Sequence, residues 1–399
     1  MKKTACVLSA LAAVVLWAGA ALAEDVVRFG CAISLTGRLA HEGKLTRDGY
    51  EFYKALINKK GGLSIGGKKY SVDVKYYDDE SNVQTATKLI EKLITEDKID
   101  LLLGPYGSGP SFATSAIAEK HKRVMMLPMA ASPEIFERGF KYIFGVLATT
   151  DVYLRDIFIL ASKQNPKPQT VAVLWKNDLA NKGLGDPIPG LCKELGFNLV
   201  YNEKFAASAT DFSSELSVVK SKNPDIFVFL SQLDQFILAV KQIKDNKINA
   251  KLIMNGIAVP QPGLTKALGK DADYLVGPTH WFRTFAYKDD LFGDSGDYVK
   301  EFKKMFGYDP EYHNVGSSAG IQALGIALEK AGAQDVEKVR NTLATMNVKT
   351  FWGNIAFDAK GKIKGRSMPV GQIQKEAFTL VYPTDLAEAK FVYPKPDWR

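Results

Sequence analysis

The sequence predicts an α/β protein built as two similar lobes, each a parallel sheet covered by helices. Short apolar runs of strand length alternate with longer segments whose apolar residues fall at helical spacing, the pattern of parallel strands joined by helical crossovers. The alternation begins again near Thr149, with similar size and order but no obvious sequence repetition. About 375 residues follow an apparent leader, a length that favours two domains.

The apolar run Val26 to Ile33 predicts a strand over Arg28–Ile33, and Ser34-Leu35-Thr36-Gly37 turns the chain out of it. Tyr50, Phe52, Tyr53, Leu56 and Ile57 share a helical face and predict a helix over Gly43–Lys59. Gly61-Gly62 ends that helix, because glycine accepts the left-handed cap. Gly66-Gly67 before Lys68-Lys69-Tyr70 reads as a small hairpin leading into a strand at Ser71–Tyr77. Strands at Leu101–Leu103 and Val124–Leu127 and helices at Val83–Thr95 and Ser111–Lys120 complete the first series.

The second series opens with a helix at Val152–Ser162 and a polar break at Asn165-Pro166-Lys167-Pro168. Strands follow at Val171–Trp175, Asn198–Phe205, Ile226–Leu230 and Leu252–Met254. The helices between them are Gly183–Leu195, Phe212–Lys220 with Asp211 as its N-cap, and Phe236–Asn246. After Asp273 come a strand to Pro278 and amphipathic helices at Gly296–Phe306, Val315–Ala331 and Val336–Thr345. Closing strands are expected at Phe351–Phe357 and Val370–Ala377.

Met1 to Ala23 has the parts of a secretory leader. Lys2 and Lys3 form the basic end, Val7 to Ala21 is apolar, and Ala21-Leu22-Ala23 is a small-x-small cleavage site before Glu24. The alternative, a membrane anchor, is disfavoured because the apolar part is short for a span of about 20 residues. No cysteine stands at the cleavage site to accept a lipid. An exported product is expected, and cleavage lowers the formal charge from +8 to +6. The lysines are scattered and no basic stripe is interleaved with aromatics, so nucleic acid is not an expected partner. The remaining cysteines, Cys31 and Cys192, fall in different lobes and read as buried free thiols rather than a disulfide. No Cys/His cluster has metal spacing, and neither a metal nor a cofactor is expected.

Two loops stand at the carboxyl ends of first-lobe strands, where open parallel sheets bind ligands. The first runs Leu103-Gly104-Pro105-Tyr106-Gly107-Ser108-Gly109 into a helix, and the second is Leu127-Pro128-Met129-Ala130-Ala131-Ser132-Pro133. Free amides at a helix start favour an anion such as a carboxylate. Gly107-Ser108-Gly109 also reads as a plain tight turn with a capping serine. Arg38, just past the Thr36-Gly37 turn, reads either as a carboxylate clamp at the cleft edge or as a solvated loop residue. Trp281-Phe282 reads as cleft lining or as packing between lobes.

The stretch from Val26 to Gly62 resembles the mature amino terminus of periplasmic solute-binding proteins of the branched-chain amino-acid (leucine-binding) type, which serve ABC importers. The resemblance rests on S-L-T-G after the first strand and on IN-x-x-GG closing an aromatic-rich helix. It extends over nearly all the mature chain through Asp78-Asp79, the G-P-x-x-S of Gly104 to Ser108, and the S-P-E beginning at Ser132. It implies the type I periplasmic binding fold, two Rossmann-like lobes joined by a three-segment hinge. Its crossings fall near Ala148, Val276–His280 and Asn347–Phe351. The leader, 1–23, is then followed by a first lobe of 24–148 plus 279–347 and a second of 149–278 plus 348–399. Implied partners are a small ligand, a permease and its ATPase, with the protein itself a monomer and no enzyme.

In that family the two loops hold the carboxylate and amino end of an amino acid. Carried over, Tyr106, Gly107, Ser108, Ala130, Ala131 and Ser132 become ligand contacts, but Ala131 stands where a threonine hydroxyl is normal. The second-lobe acid that receives the ammonium has no match in Asn255-Gly256-Ile257-Ala258, which leaves Asn255 as the polar candidate. The aspartate-tyrosine-glycine feature reads Asn177-Asp178-Leu179-Ala180-Asn181, without its tyrosine. A buried ammonium without a carboxylate partner is costly. Either Asp151, Asp178 or Asp234 supplies the charge, or the ligand is an acid without an α-ammonium, such as an aromatic acid. A sensory binding subunit and, less favoured, an α/β hydrolase using Ser108 are the other readings. The Gly-x-Gly at Gly107 and Gly109 lacks the rest of a dinucleotide pattern.

Overall fold

The computed structural model describes residues 25–398, so the leader ending at Ala23 lies outside the described residues. The first series runs β1 (Val26–Ile33), α1 (Ala40–Lys59), β2 (Leu63–Ile65), β3 (Lys68–Asp78), α2 (Val83–Thr95), β4 (Leu101–Leu103), α3 (Ser108–Lys120), β5 (Val124–Leu127), α4 (Pro133–Phe136) and β6 (Ile143–Gly145). Its six-stranded sheet has the order β2-β3-β1-β4-β5-β6. All neighbours are parallel except the β2–β3 hairpin, which turns at Gly66-Gly67 as the sequence predicts. The strand order reverses at β1, and such a switch point opens a crevice beyond the strand ends.

The second series runs α5 (Arg155–Ser162), β7 (Thr170–Lys176), α6 (Leu179–Gly185), α7 (Ile188–Leu195), β8 (Asn198–Phe205), α8 (Ser213–Lys222), β9 (Ile226–Leu230), α9 (Leu233–Asp245), β10 (Leu252–Met254), α10 (Pro262–Leu268) and β11 (Val276–Pro278). Then come α11 (Ser295–Phe306), α12 (Tyr312–Ala331), α13 (Val336–Thr345), a β12–β13 hairpin (Asn347–Thr350, Gly353–Ala356), β14 (Val370–Gln374) and β15 (Ala377–Tyr382). The seven-stranded second sheet has the order β15-β14-β11-β10-β9-β7-β8, with its switch point at β7. The expected α/β fold of two lobes with parallel-rich sheets is the fold observed.

Several elements differ from expectation. The helix expected over Gly183–Leu195 is two helices, α6 and α7, separated at Pro187. Proline has no amide to continue the ladder and crowds the preceding turn. Asp211 does not occupy the cap of α8: the helix starts at Ser213, and Asp211 Oδ1 accepts the Ser213 amide from one residue further out. The third crossing also moves. Residues 347–363 stay with the first lobe, where Gly361 and Ile363 exchange hydrogen bonds with Gly145 of β6 and the Trp352 indole donates to Val146 O. The chain enters the second sheet only at Val370, so the crossing expected at Asn347–Phe351 falls at 364–369.

The three crossings are tied together where they pass. His280 Nε2, in the second, lies 2.6 Å from Tyr153 Oη, in the first. Arg366, in the third, donates to His280 O and Trp352 O and stacks on the Trp352 ring at 3.9 Å. Burial pulls the Arg366 guanidinium down to about 9, which leaves it charged at neutral pH. Cys31 on β1 and Cys192 on α7 are both buried and free, in different lobes.

Candidate functional site

The carboxyl ends of β4 and β5 face those of β7, β9 and β10 across a partly open chamber of about 150 Å³. Its first-lobe wall comes from Tyr106, Gly107, Ser108, Met129 and Ala131, and its second-lobe wall from Lys176, Asp178, Gln232 and Ile257. Thr150 and Tyr153, from the first crossing, and Tyr312 form the floor. The lobes meet beside the chamber, where Lys182 of α6 pairs with Glu134 of α4.

The loop after β4 is shaped by Gly107, whose φ of +95° suits glycine and whose amide donates to Met129 O. That conformation starts α3 at Ser108, three residues earlier than expected. Among the described residues the Ser108 and Gly109 amides have no hydrogen-bond partner, and they border the chamber, so the start of this 13-residue helix offers donors to an anion. Ser108 Oγ accepts the amides of Ala131 at 3.3 Å and Ser132 at 3.1 Å. Its hydroxyl proton is thereby left to donate elsewhere. No histidine engages it: His280 pairs with Tyr153, and His313 with Glu311.

On the second lobe, Asp178 Oδ1 caps α6 by accepting the Asn181 amide at 2.9 Å. Its Oδ2 accepts from Gln232 Nε2 at 3.2 Å and lies 3.6 Å from Lys176 Nζ. Lys176 Nζ donates to Gln232 Oε1 at 2.7 Å. Burial lowers the Lys176 ammonium's pKa, and Asp178 pulls it back up.

Family comparison agrees with this architecture. A family model described as periplasmic binding protein matches residues 26–377. The chain belongs to the periplasmic binding protein family. This binding protein is 26% identical over 391 residues to a leucine-, isoleucine-, valine-, threonine- and alanine-binding protein of Pseudomonas aeruginosa, covering 94% of this chain and 98% of that one. It superposes on a leucine-binding protein of Thermotoga maritima with a TM-score of 0.78 at 22% identity, covering 89% and 97% of the two chains. It also superposes on an ABC-transporter solute-binding protein of Rhodopseudomonas palustris in complex with 3,4-dihydroxybenzoic acid, with a TM-score of 0.76 at 21% identity and coverage of 88% and 94%.

Of the residues expected at the site, Arg38, Tyr106, Gly107, Ser108, Ala131 and Asp178 are brought together around the chamber of this binding protein. Three are not. Ala130 is buried among side chains packed between the first sheet and the helices α2, α3 and α4. Ser132 contributes its amide to Ser108, and its own hydroxyl is buried without a partner. Asn255 is wholly buried, donates to Phe229 O and Ser231 O, and accepts the amides of Ile257 and Ala258. It builds the loop that presents Ile257 and does not face the ligand space. Asp151 and Asp234 are exposed and lie off the chamber wall, which leaves Asp178 as its acid.

Lys176, Gln232 and Thr150 were not foreseen. The signal for Lys176 was a lysine closing the apolar strand VAVLW, and for Gln232 a polar residue just past FVFLS. Thr150 returns a hydroxyl near the position that Ala131 vacates: its amide donates to Ala131 O at 2.7 Å, and its buried hydroxyl has no partner. A larger cavity of about 780 Å³ lies on the flank of the cleft, bordered by Leu45, Val259, Trp281, Phe282 and Phe378. Trp281 and Phe282 thus both pack between elements and line a space. The smaller chamber is the candidate site because convergent polar groups and strand ends meet there.

Proposed function

We propose that this chain is the periplasmic solute-binding subunit of an ABC importer and that it captures a small carboxylate lacking an α-ammonium. The observation that carries the ligand class is the charge around the chamber: Arg38 and Lys176 against the single acid Asp178, which Lys176 already neutralises. Lys176 already balances the charge of Asp178, and the acceptor site that Asp178 has left serves one neutral donor rather than the charge and three donors of a ligand ammonium, whose burial would cost several kcal/mol. A ligand carboxylate meets the surplus cation, the α3 amides and the Ser108 hydroxyl.

Size supports a compact acid, since a cavity of about 150 Å³ takes one benzene ring. The Rhodopseudomonas palustris neighbour holds a benzoic acid, whereas the Pseudomonas aeruginosa relative is named for amino acids. The charge balance of this chain favours the former chemistry. The acid docks on the first-lobe loops, the second lobe swings in through the three crossings, and closure excludes water and strengthens each polar contact. The closed monomer then delivers the acid to a permease and its ATPase, after export and cleavage behind Ala23.

Competitive capture tests this reading. The protein is incubated with an equimolar mixture of α-amino acids, aliphatic acids and aromatic acids, desalted and denatured, and the released molecule is read by mass spectrometry. An acid without an amine is expected. Selective release of an α-amino acid would refute the proposal.

A further inference from the structure

Lys176 is built in a way that capture of one carboxylate does not require. It ends β7 and is only 5% exposed, although lysine is almost never buried unless paired. Its ammonium has three donors. One goes to Gln232 Oε1 at 2.7 Å, while the 3.6 Å separation from Asp178 Oδ2 is an ionic contact too long for a good hydrogen bond. Gln232 turns its other end to Asp178, so the amide clamps both charged groups from β9's exit loop. The result is a fixed cluster on the second-lobe wall, with spare donors on Lys176 and spare acceptor capacity on Asp178. The α3 amides and Ser108 belong to the opposite lobe, and the space between holds about one ring.

We propose that Lys176, clamped by Gln232 and Asp178, determines specificity by reading a hydroxyl group at the end of the ligand remote from its carboxylate. The preferred solutes are therefore hydroxylated ring acids. A hydroxyl satisfies both halves of the cluster, since it accepts from Lys176 and donates to Asp178. A second carboxylate would satisfy Lys176 but face Asp178, and an unsubstituted ring would leave both groups desolvated and unmatched, which is the costly arrangement. The burial that lowers the Lys176 pKa is consistent with a cation waiting for a further oxygen.

This inference rests on the acid-binding reading, and one calorimetric series separates the two. The wild-type protein is titrated with benzoate, 3-hydroxybenzoate, 4-hydroxybenzoate, terephthalate and leucine. At least one hydroxybenzoate is expected to bind about tenfold or more tighter than benzoate, and tighter than terephthalate, the return of a matched buried polar group. Lys176→Met weakens every acid but brings the hydroxybenzoate-to-benzoate ratio to about threefold or less, and Lys176→Arg restores part of it. A merely structural lysine would not change that ratio. Should Lys176→Met fail to fold, the wild-type ranking and Gln232→Leu, which unclamps the ammonium without removing it, still decide. Acids that bind with no preference for a hydroxyl, or a ratio that survives Lys176→Met, would overturn this inference alone. Leucine binding with all four acids inert would overturn the acid reading and this inference with it.

Discussion

Replacing Gly183 with valine costs about 10- to 100-fold in ligand affinity while leaving each lobe folded. Gly183 lies on α6, where a Cβ would sit 2.1 Å from Thr150 Oγ1 and 2.9 Å from Pro133 Cδ. Both neighbours lie outside α6, one in the first crossing and one at the start of α4 on the first lobe. Overpacking of this kind costs about 1–3 kcal/mol where the surfaces are in contact. In the closure proposed above, α6 moves off α4 as the lobes part, so the clash with Pro133 falls on the closed form and is read as lost affinity. Calorimetry with the best ligand, together with the melting temperature of the ligand-free variant, checks this. Unchanged affinity would show that the contact between α6 and α4 plays no part in capture.

Asn255→Ala has the largest expected effect on stability. The side chain is wholly buried and makes four hydrogen bonds, two to carbonyls that end β9 and two from amides of its own loop. Alanine strands these groups at about 1–3 kcal/mol for each that finds no water, so a net loss of about 3–5 kcal/mol is expected. For domains of this size that lowers the melting temperature by about 8–15 °C. A ligand-contacting asparagine would behave in the opposite way, with affinity lost and the ligand-free melting temperature held. Thermal unfolding of the ligand-free variant separates the two roles.

The parts of the fold legible in the sequence are those where chemistry is local. Leu101–Leu103, Val124–Leu127, Ile226–Leu230 and Leu252–Met254 were read to the residue because each is a continuous apolar run in a buried parallel sheet. Elements of three or four residues, such as α4 and β6, carry no period to read. The β14–β15 hairpin turns on Lys375 and Glu376, both at positive φ, where the usual turn signal is Asn-Gly or Asp-Gly, so the sequence shows no break there.

The site divides in the same way. Loops at strand ends pointed to Tyr106, Gly107, Ser108 and Ala131, because the position of a strand end is a local property. The direction in which a side chain turns there is not local. Asn255 stands at the right strand end and spends its bonds on the end of β9 and on its own loop. Lys176 looks like a solvated lysine closing a strand, and its burial exists only because Gln232, Asp178 and the opposing lobe surround it.

The central claim is that the chamber holds a carboxylate and has no free counter-charge for an ammonium. Calorimetry of leucine, its deaminated analogue 4-methylpentanoate and benzoate against one preparation tests it most directly, because the first two differ at a single group. The charge balance of Arg38, Lys176 and Asp178 predicts that an acid binds at least about 100-fold tighter than leucine, the cost of enclosing an unpaired ammonium. Tight binding of leucine with both acids inert would contradict it.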